Sequence, residues 1–158
     1  MKKINLVVII SFVLLIIDQL VKSIVISTGV NKVIIKNFLS FIYTENDGVA
    51  FSFLSGNRFL IIITTIFLVL ALFYIFYKEF LLKNKTVYKI ITFSFLFGGV
   101  FGNFIDRIVR GVVIDFISLK IFNWNFAIFN LADLFITIGV VLLIILTIKD
   151  DSNKKNEL

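Results

Sequence analysis

The chain has 158 residues, of which 59% are apolar and 16% charged, a balance that excludes an ordinary soluble domain and fits one whose long apolar runs cross a bilayer. Its net charge of +6 comes from lysines scattered through short segments, with no basic stripe interleaved with aromatics, so no nucleic-acid partner is expected. With no cysteine and no histidine, disulfides, thiol nucleophiles, Ser-His triads and ordinary zinc sites drop out. No metal or cofactor is expected, and hydrolysis, if any, must use carboxylates, lysine, hydroxyls or amides.

In chain order, the apolar run from Ile4 to Ile26 follows two lysines but lacks a small-residue cleavage site, and it is expected to be a retained span. Lys32 to Thr44 and Val49 to Leu54 are rich in β-formers, with turn chemistry in Glu45-Asn46-Asp47-Gly48 between them; they are expected to build a small sheet resting on the membrane. A second span covers 59–77 and a loop 78–87 follows. The third and fourth apolar cores, 90–105 and 134–148, fall short of the roughly 20 residues a bilayer requires. Each must take in polar neighbours, Asp106 with Arg107 and Asn130 with Asp133, giving spans of about 88–107 and 130–148 and placing those groups near a membrane boundary. Between them Gly111 to Ile117 reads as a short strand and Asn123-Trp124-Asn125 as a turn at the lipid interface. The tail 149–158 is polar and expected to be disordered. The fold class is therefore an all-α polytopic membrane protein: one domain, 1–158, of four transmembrane helices with a small β-sheet on the outer face, in outer loops 27–58 and 108–129.

Connectivity gathers the polar groups. Helices one and three end where helix four begins, so Asp18 and Lys22, then Asn103, Asp106 and Arg107, then Asn130 and Asp133 converge at one face. The opposite face receives Lys2, Lys3, Lys78, Lys83, Lys85, Lys89, Lys149, Lys154 and Lys155, nine of the 16 basic residues. By the positive-inside rule that face is cytoplasmic, both termini included, and the functional face is the outer one.

Ionisable residues inside spans are costly and mark functional sites by default. Here they form helical stripes: Asp18 and Lys22; Asn103, Asp106, Arg107 and Arg110; Asn130, Asp133 and Thr137. Of the carboxylates, Asp106, Asp115 and Asp133 are the useful parts, because two placed close together share a proton and supply both an acid and a base. Spacing alone does not choose the pair. Asp106, beside Arg107 and Arg110, suits a structural salt bridge, which leaves Asp115 and Asp133 freer. Bland readings stand beside these. Asp18 with Lys22 can be a simple intrahelical pair, Arg107 can snorkel to headgroups, and Asp133 can be a helix cap. Gly98 and Gly102 read as close helix packing, and the 20 phenylalanines as lipid-facing and core residues.

Several stretches resemble the motifs of the bacterial lipoprotein signal peptidase family, signal peptidase II: Asp18-Gln19-x-x-Lys22; Asn46-Asp47-Gly48-Val49-Ala50-Phe51-Ser52; Gly98-Gly99-x-x-Gly102-Asn103-x-x-Asp106-Arg107 with Gly111-x-Val113-Ile114-Asp115-Phe116; and Phe129-Asn130-Leu131-Ala132-Asp133. They fall in the family's order from end to end, with small departures at Val49, Ile114 and Asp47. The resemblance implies a membrane aspartyl endopeptidase that removes signal peptides on the amino side of a diacylglyceryl cysteine. It implies a catalytic pair of Asp115 and Asp133, supported by Asp18, Lys22, Asn46, Gly48, Asn103, Asp106, Arg107, Asn130 and Ala132. It further implies prolipoprotein substrates, membrane lipids and globomycin-type peptide inhibitors as partners, a monomeric state and residence in the bacterial cytoplasmic membrane. A lid over 51–58 is an added expectation. The competing readings are a proton-coupled carrier or channel using the same carboxylates, which the absence of repeats and broken helices disfavours, and a non-catalytic lipid or peptide binder.

Overall fold

A computed structural model describes residues 2–48, 57–82, 86–121 and 124–155. The elements are α1 (Lys2–Thr28), β1 (Asn31–Ile35), β2 (Leu39–Asn46), α2 (Arg58–Phe76) continued by a π-helical turn (Tyr77–Leu81), α3 (Val87–Val109), β3 (Val113–Ile121), β4 (Trp124–Phe129) and α4 (Leu131–Lys155). Four stretches, Lys2–Thr28, Phe59–Leu81, Val87–Val109 and Leu131–Lys149, are long and apolar enough to cross a membrane.

The least apolar span is the central one. In α3, 61% of the span window is buried, against 11–17% in the other three, because its polar and small residues need protein neighbours and its partners' aliphatic faces do not. Glycine sets the approach. A Cβ on Gly98 would stand 2.8 Å from Leu14 Cβ of α1, and one on Gly102 would stand 2.7 Å from Asp18 Oδ2. Gly139 of α4 reciprocates against Leu96 of α3. The glycines expected to serve helix packing do so. Towards the end of the bundle remote from the sheet, Phe73, Phe76 and Phe80 pack against Phe93, Phe97 and Phe101, with ring centroids 5.1–6.3 Å apart.

The four strands form one antiparallel sheet in the order β1-β2-β3-β4. Several sequence expectations are corrected. Lys32 to Thr44 is a hairpin, not one strand: Asn37 takes a φ of 61°, which asparagine tolerates, and Phe38 N–H donates to the Ile35 carbonyl. The strand expected from Gly111 starts instead at Val113 and runs to Ile121, because Gly111, at φ 82°, ends α3 with its N–H on the Asp106 carbonyl. Trp124 and Asn125 already belong to β4 and not to a turn. The tail expected to be disordered continues α4 to Lys155, since adding a residue to an existing helix costs no new nucleation. The expected strand 49–54 lies outside the described residues, as do 51–56 of the expected lid; Arg58 opens α2.

Candidate active site

The site begins where β4 turns into α4. Asn130 is the residue before the helix, and the side chains of Asn130 and Asp133 cap each other's backbone: Asp133 N–H donates to Asn130 Oδ1 at 3.0 Å, and Asn130 N–H donates to Asp133 Oδ2 at 3.1 Å. This is a capping box built from an Asn and an Asp. The bland reading of Asp133 as a cap is therefore correct in part. The cap also fixes the carboxylate so that Oδ1 accepts Asn103 Nδ2–H at 2.7 Å.

Asp115 arrives from β3, and the sheet register explains its neighbours. Thr44 pairs with Asp115 and Asn46 with Val113, so Asn46 is a same-face diagonal neighbour of Asp115 and donates Nδ2–H to its Oδ2 at 3.0 Å. The Asn46 amide is oriented by its own turn, Oδ1 accepting Gly48 N–H at 3.0 Å. On the other side Asn130 Nδ2–H donates to Asp115 Oδ1 at 2.6 Å. Asn130 thus bridges the two aspartates through separate atoms. Asp115 is 3% exposed, and burial pushes its pKa up to about 6. The bonds from Asn46 and Asn130 and the charge of Lys22 pull the other way, while the Asp133 charge pushes it further up.

Below this pair lies a buried ionic cluster. Lys22 Nζ stands 2.8 Å from Asp18 Oδ2, 2.8 Å from Asp106 Oδ2 and 3.1 Å from Asn103 Oδ1, and Asp18, Lys22 and Asp106 are all fully buried. Arg110 pairs with Asp106 and donates to Gln19 Oε1 at 2.9 Å. Gln19 Nε2 lies within 3.2 Å of Asp18, Asp106 and the Gly102 carbonyl. The expected intrahelical pair of Asp18 and Lys22 exists, and it is also interhelical. Asp106 takes its structural salt bridges from Lys22 and Arg110.

Arg107, the other cation expected near Asp106, instead lines a cavity of about 430 Å³ together with Asn46, Asn103, Asp115 and Asp133. The cavity walls are apolar where Val113, Phe129 and Ile136 face it. Arg107 also donates to the Gly48 carbonyl at 3.4 Å. Of the polar residues singled out from the sequence, Asn46, Asn103, Arg107, Asp115, Asp133 and Thr137 line this cavity. Asp18, Lys22, Asp106 and Ala132 stand behind it, Asn130 joins the two sets, and Gly48 borders it through Asn46 and Arg107. Gln19 was missed. Its signal was an amide in an apolar run, a group that is expensive to bury unless bonded. Thr44 and Ile128 also line the cavity, and only strand register could have found them.

Residues 10–149 match the family model described as signal peptidase (SPase) II. The chain is similar to the lipoprotein signal peptidase of Staphylococcus aureus, with 40% identity over 153 residues, 95% of this chain and 92% of the relative. It is also similar to two solved structures of a bacterial membrane enzyme obtained by the in meso method. One, at 2.3 Å, has TM-score 0.82 and 40% identity and covers 96% of this chain and 92% of that one; the other, at 1.9 Å, has TM-score 0.78 and 39% identity and covers 93% and 95%. With a family match across most of its length, and with the described residues Asp18, Asn46, Asn103, Asp115, Asn130 and Asp133 brought to the sheet end of a four-helix bundle, the chain belongs to the signal peptidase II family.

Proposed function

We propose that this membrane peptidase removes the signal peptide from diacylglyceryl-modified prolipoproteins, cutting on the amino side of the lipidated cysteine with Asp115 and Asp133 as its catalytic pair. The observation that carries the reading is the shared lining of one cavity by these two carboxylates, bridged by Asn130 and flanked by Arg107. The carrier alternative finds no support among the relatives.

The scissile carbonyl lies between the two aspartates. Asp133, the less buried, takes a proton from a water molecule as the water oxygen attacks the carbonyl carbon. Asp115, whose burial favours the protonated form, first donates its hydrogen bond and proton to the carbonyl oxygen. Collapse of the tetrahedral intermediate breaks the C–N bond, and the leaving nitrogen takes the proton held by Asp133 while Asp115 recovers its own from the new hydroxyl. Asn103 and Asn46 hold the carboxylates in place, and Arg107 supplies positive potential beside the negative charge that the pair carries through the reaction.

The substrate's signal helix lies among the spans with its acyl chains in the bilayer, so the depth of the cavity selects the bond. The sheet end faces outward and both chain ends lie at the cytoplasmic face, a placement supported by Lys2, Lys3, Lys78, Lys89 and Lys149 at the opposite end of the bundle. The chain works as a monomer, and globomycin-type peptides occupy the same cavity. The test is cleavage of a purified diacylglyceryl prolipoprotein by the wild type and by Asp115→Asn and Asp133→Asn, with folding of each verified. Loss of cleavage in both supports the pair; near-normal cleavage by either removes that residue from it, and an inactive wild type removes the peptidase reading.

A further inference from the structure

Three features of the molecule lie outside the cleft chemistry: an apolar groove of about 520 Å³ between α1, α2 and α3, the π-helical turn with Lys89 donating to the Glu79 carbonyl, and the ionic cluster behind the aspartates. The groove has nothing on it to identify an occupant, and Lys89 is explained by tying α2 to α3. The cluster goes further.

We infer that Asp18, Lys22 and Asp106 form a buried positioning unit that sets the spacing of the two aspartates by gripping the peptide N–H immediately before each of them. Asp18 Oδ1 accepts the N–H of Ala132, the residue before Asp133, at 3.0 Å. Asp106 Oδ2 accepts the N–H of Ile114, the residue before Asp115, at 3.3 Å. The two gripping carboxylates are joined by one cation, Lys22 Nζ, at 2.8 Å from each. Chain segments far apart in sequence are thus referred to a single atom on α1.

Lys22 has a third arm. An ammonium has three donors and no acceptor, and its three partners here are all oxygens, the last being Asn103 Oδ1 at 3.1 Å. That contact settles which way the Asn103 amide points. With its oxygen held by Lys22, its Nδ2 is the group that meets Asp133. The same Asn103 oxygen accepts Asn130 Nδ2, whose amide also donates to Asp115. A neutral residue at position 22 removes one of the two donors on that oxygen and leaves the amide to be held against Asp133 by Asn130 alone.

The cluster is stable where it lies because charge is balanced: Lys22 and Arg110 face Asp18 and Asp106, and every carboxylate oxygen has an N–H or ammonium partner. None of the three residues lines the cavity that holds the aspartates. They are positioning residues, not catalytic ones. This inference rests on Asp115 and Asp133 being the catalytic pair.

The experiment measures kcat, KM and the pH profile of prolipoprotein cleavage, with melting temperatures, for the wild type and for Lys22→Met, Asp106→Asn and Asp106→Leu in lipid nanodiscs. Misplacement by about 1 Å predicts a kcat for Lys22→Met lower by about 100-fold, with KM changed by less than about threefold and the pH limb of the pair displaced. Asp106→Asn retains an oxygen for the Ile114 N–H, so it should keep kcat at least about tenfold above Asp106→Leu when both are assayed well below their melting temperatures. A folded Lys22→Met with wild-type kcat and pH profile overturns the inference. So does equal kcat in Asp106→Asn and Asp106→Leu, and that comparison decides the matter if Lys22→Met does not fold. The wild type and Asp115→Asn run alongside: an active wild type with an active Asp115→Asn strikes the catalytic assignment, not the positioning unit's geometry.

Discussion

The two ends of the bundle are held together by opposite means. At the end remote from the sheet, α2 and α3 interlock through six phenylalanines, and Phe80 and Phe93 are fully buried. At the sheet end, α1, α3 and α4 meet through Asp18, Lys22, Asn103, Asp106 and Asn130, each almost wholly withdrawn from solvent. Ring packing is tolerant, because dispersion is spread over many weak contacts and neighbours can shift to fill a gap. The polar end is directional, since each bond requires one donor at one acceptor and an unmet buried group is penalised. Such a region is poorly suited to general adhesion and well suited to holding two carboxylates at fixed separation. The division places exact geometry where bond cleavage is proposed and adaptable packing where only cohesion is needed.

Substitutions can break that division, beginning with the largest effect. Asp115→Asn and Asp133→Asn should each lower kcat by about a thousandfold or more, since each removes one of the two proton-transfer groups; single-turnover cleavage measures this. At the other end, Phe93→Ala should cost about 3 kcal/mol of stability through lost packing while leaving kcat within about twofold. Thermal unfolding and cleavage assayed on the same sample check whether the two ends are separable in this way, and a large loss of kcat would show that they are not.

Smaller changes sharpen the contrast. Gly102→Ala places a methyl 2.7 Å from Asp18 Oδ2 and 3.1 Å from Ala132 Cβ, and an overpacked contact of this kind should cost about 1–3 kcal/mol and lower kcat about tenfold. Gly139→Ala meets Leu96, a core residue outside the polar cluster, at Cγ, Cδ2 and the backbone nitrogen, and should destabilise with less effect on rate. Activity normalised to the folded fraction separates the two variants.

The smallest effect is electrostatic. The Asp115 pKa is raised from 3.8 to about 6, so the folded chain binds the proton more tightly than the unfolded one. The stability this contributes is complete below the unfolded pKa and is lost as pH rises through about 6. Asp115→Asn has no such proton to lose. Its melting temperature relative to wild type should therefore improve between about pH 4 and pH 7, and calorimetry across that range would expose a flat difference if the group were not perturbed.

Much of this protein was legible in its residues. Two long apolar runs and two shorter ones extended by polar neighbours announced four spans, and connectivity alone carried Asp18, Asn103, Asp106, Asn130 and Asp133 to one end. The hairpin at Asn37 was not legible, because β-formers on both sides of a polar turn read the same whether the chain folds back or continues. Helical spacing placed Arg107 beside Asp106, yet Asp106 pairs with Lys22 and Arg110 and Arg107 lines the cavity. Stripe periodicity says which face a residue occupies and not which of several neighbouring charges it meets.

The sequence by itself determined the solvent this protein lives in, the number of its spans and the types of group available for chemistry, because these follow from composition and from periods of a few residues. Tertiary structure decided the partners: Asn46 with Asp115 through strand register, Asn130 with both aspartates through a helix cap, and Lys22 with carboxylates on two helices. Hydrogen bonds and ion pairs act over about 3 Å, and contacts at that range between residues up to 114 apart exist only once every helix and strand has taken its place.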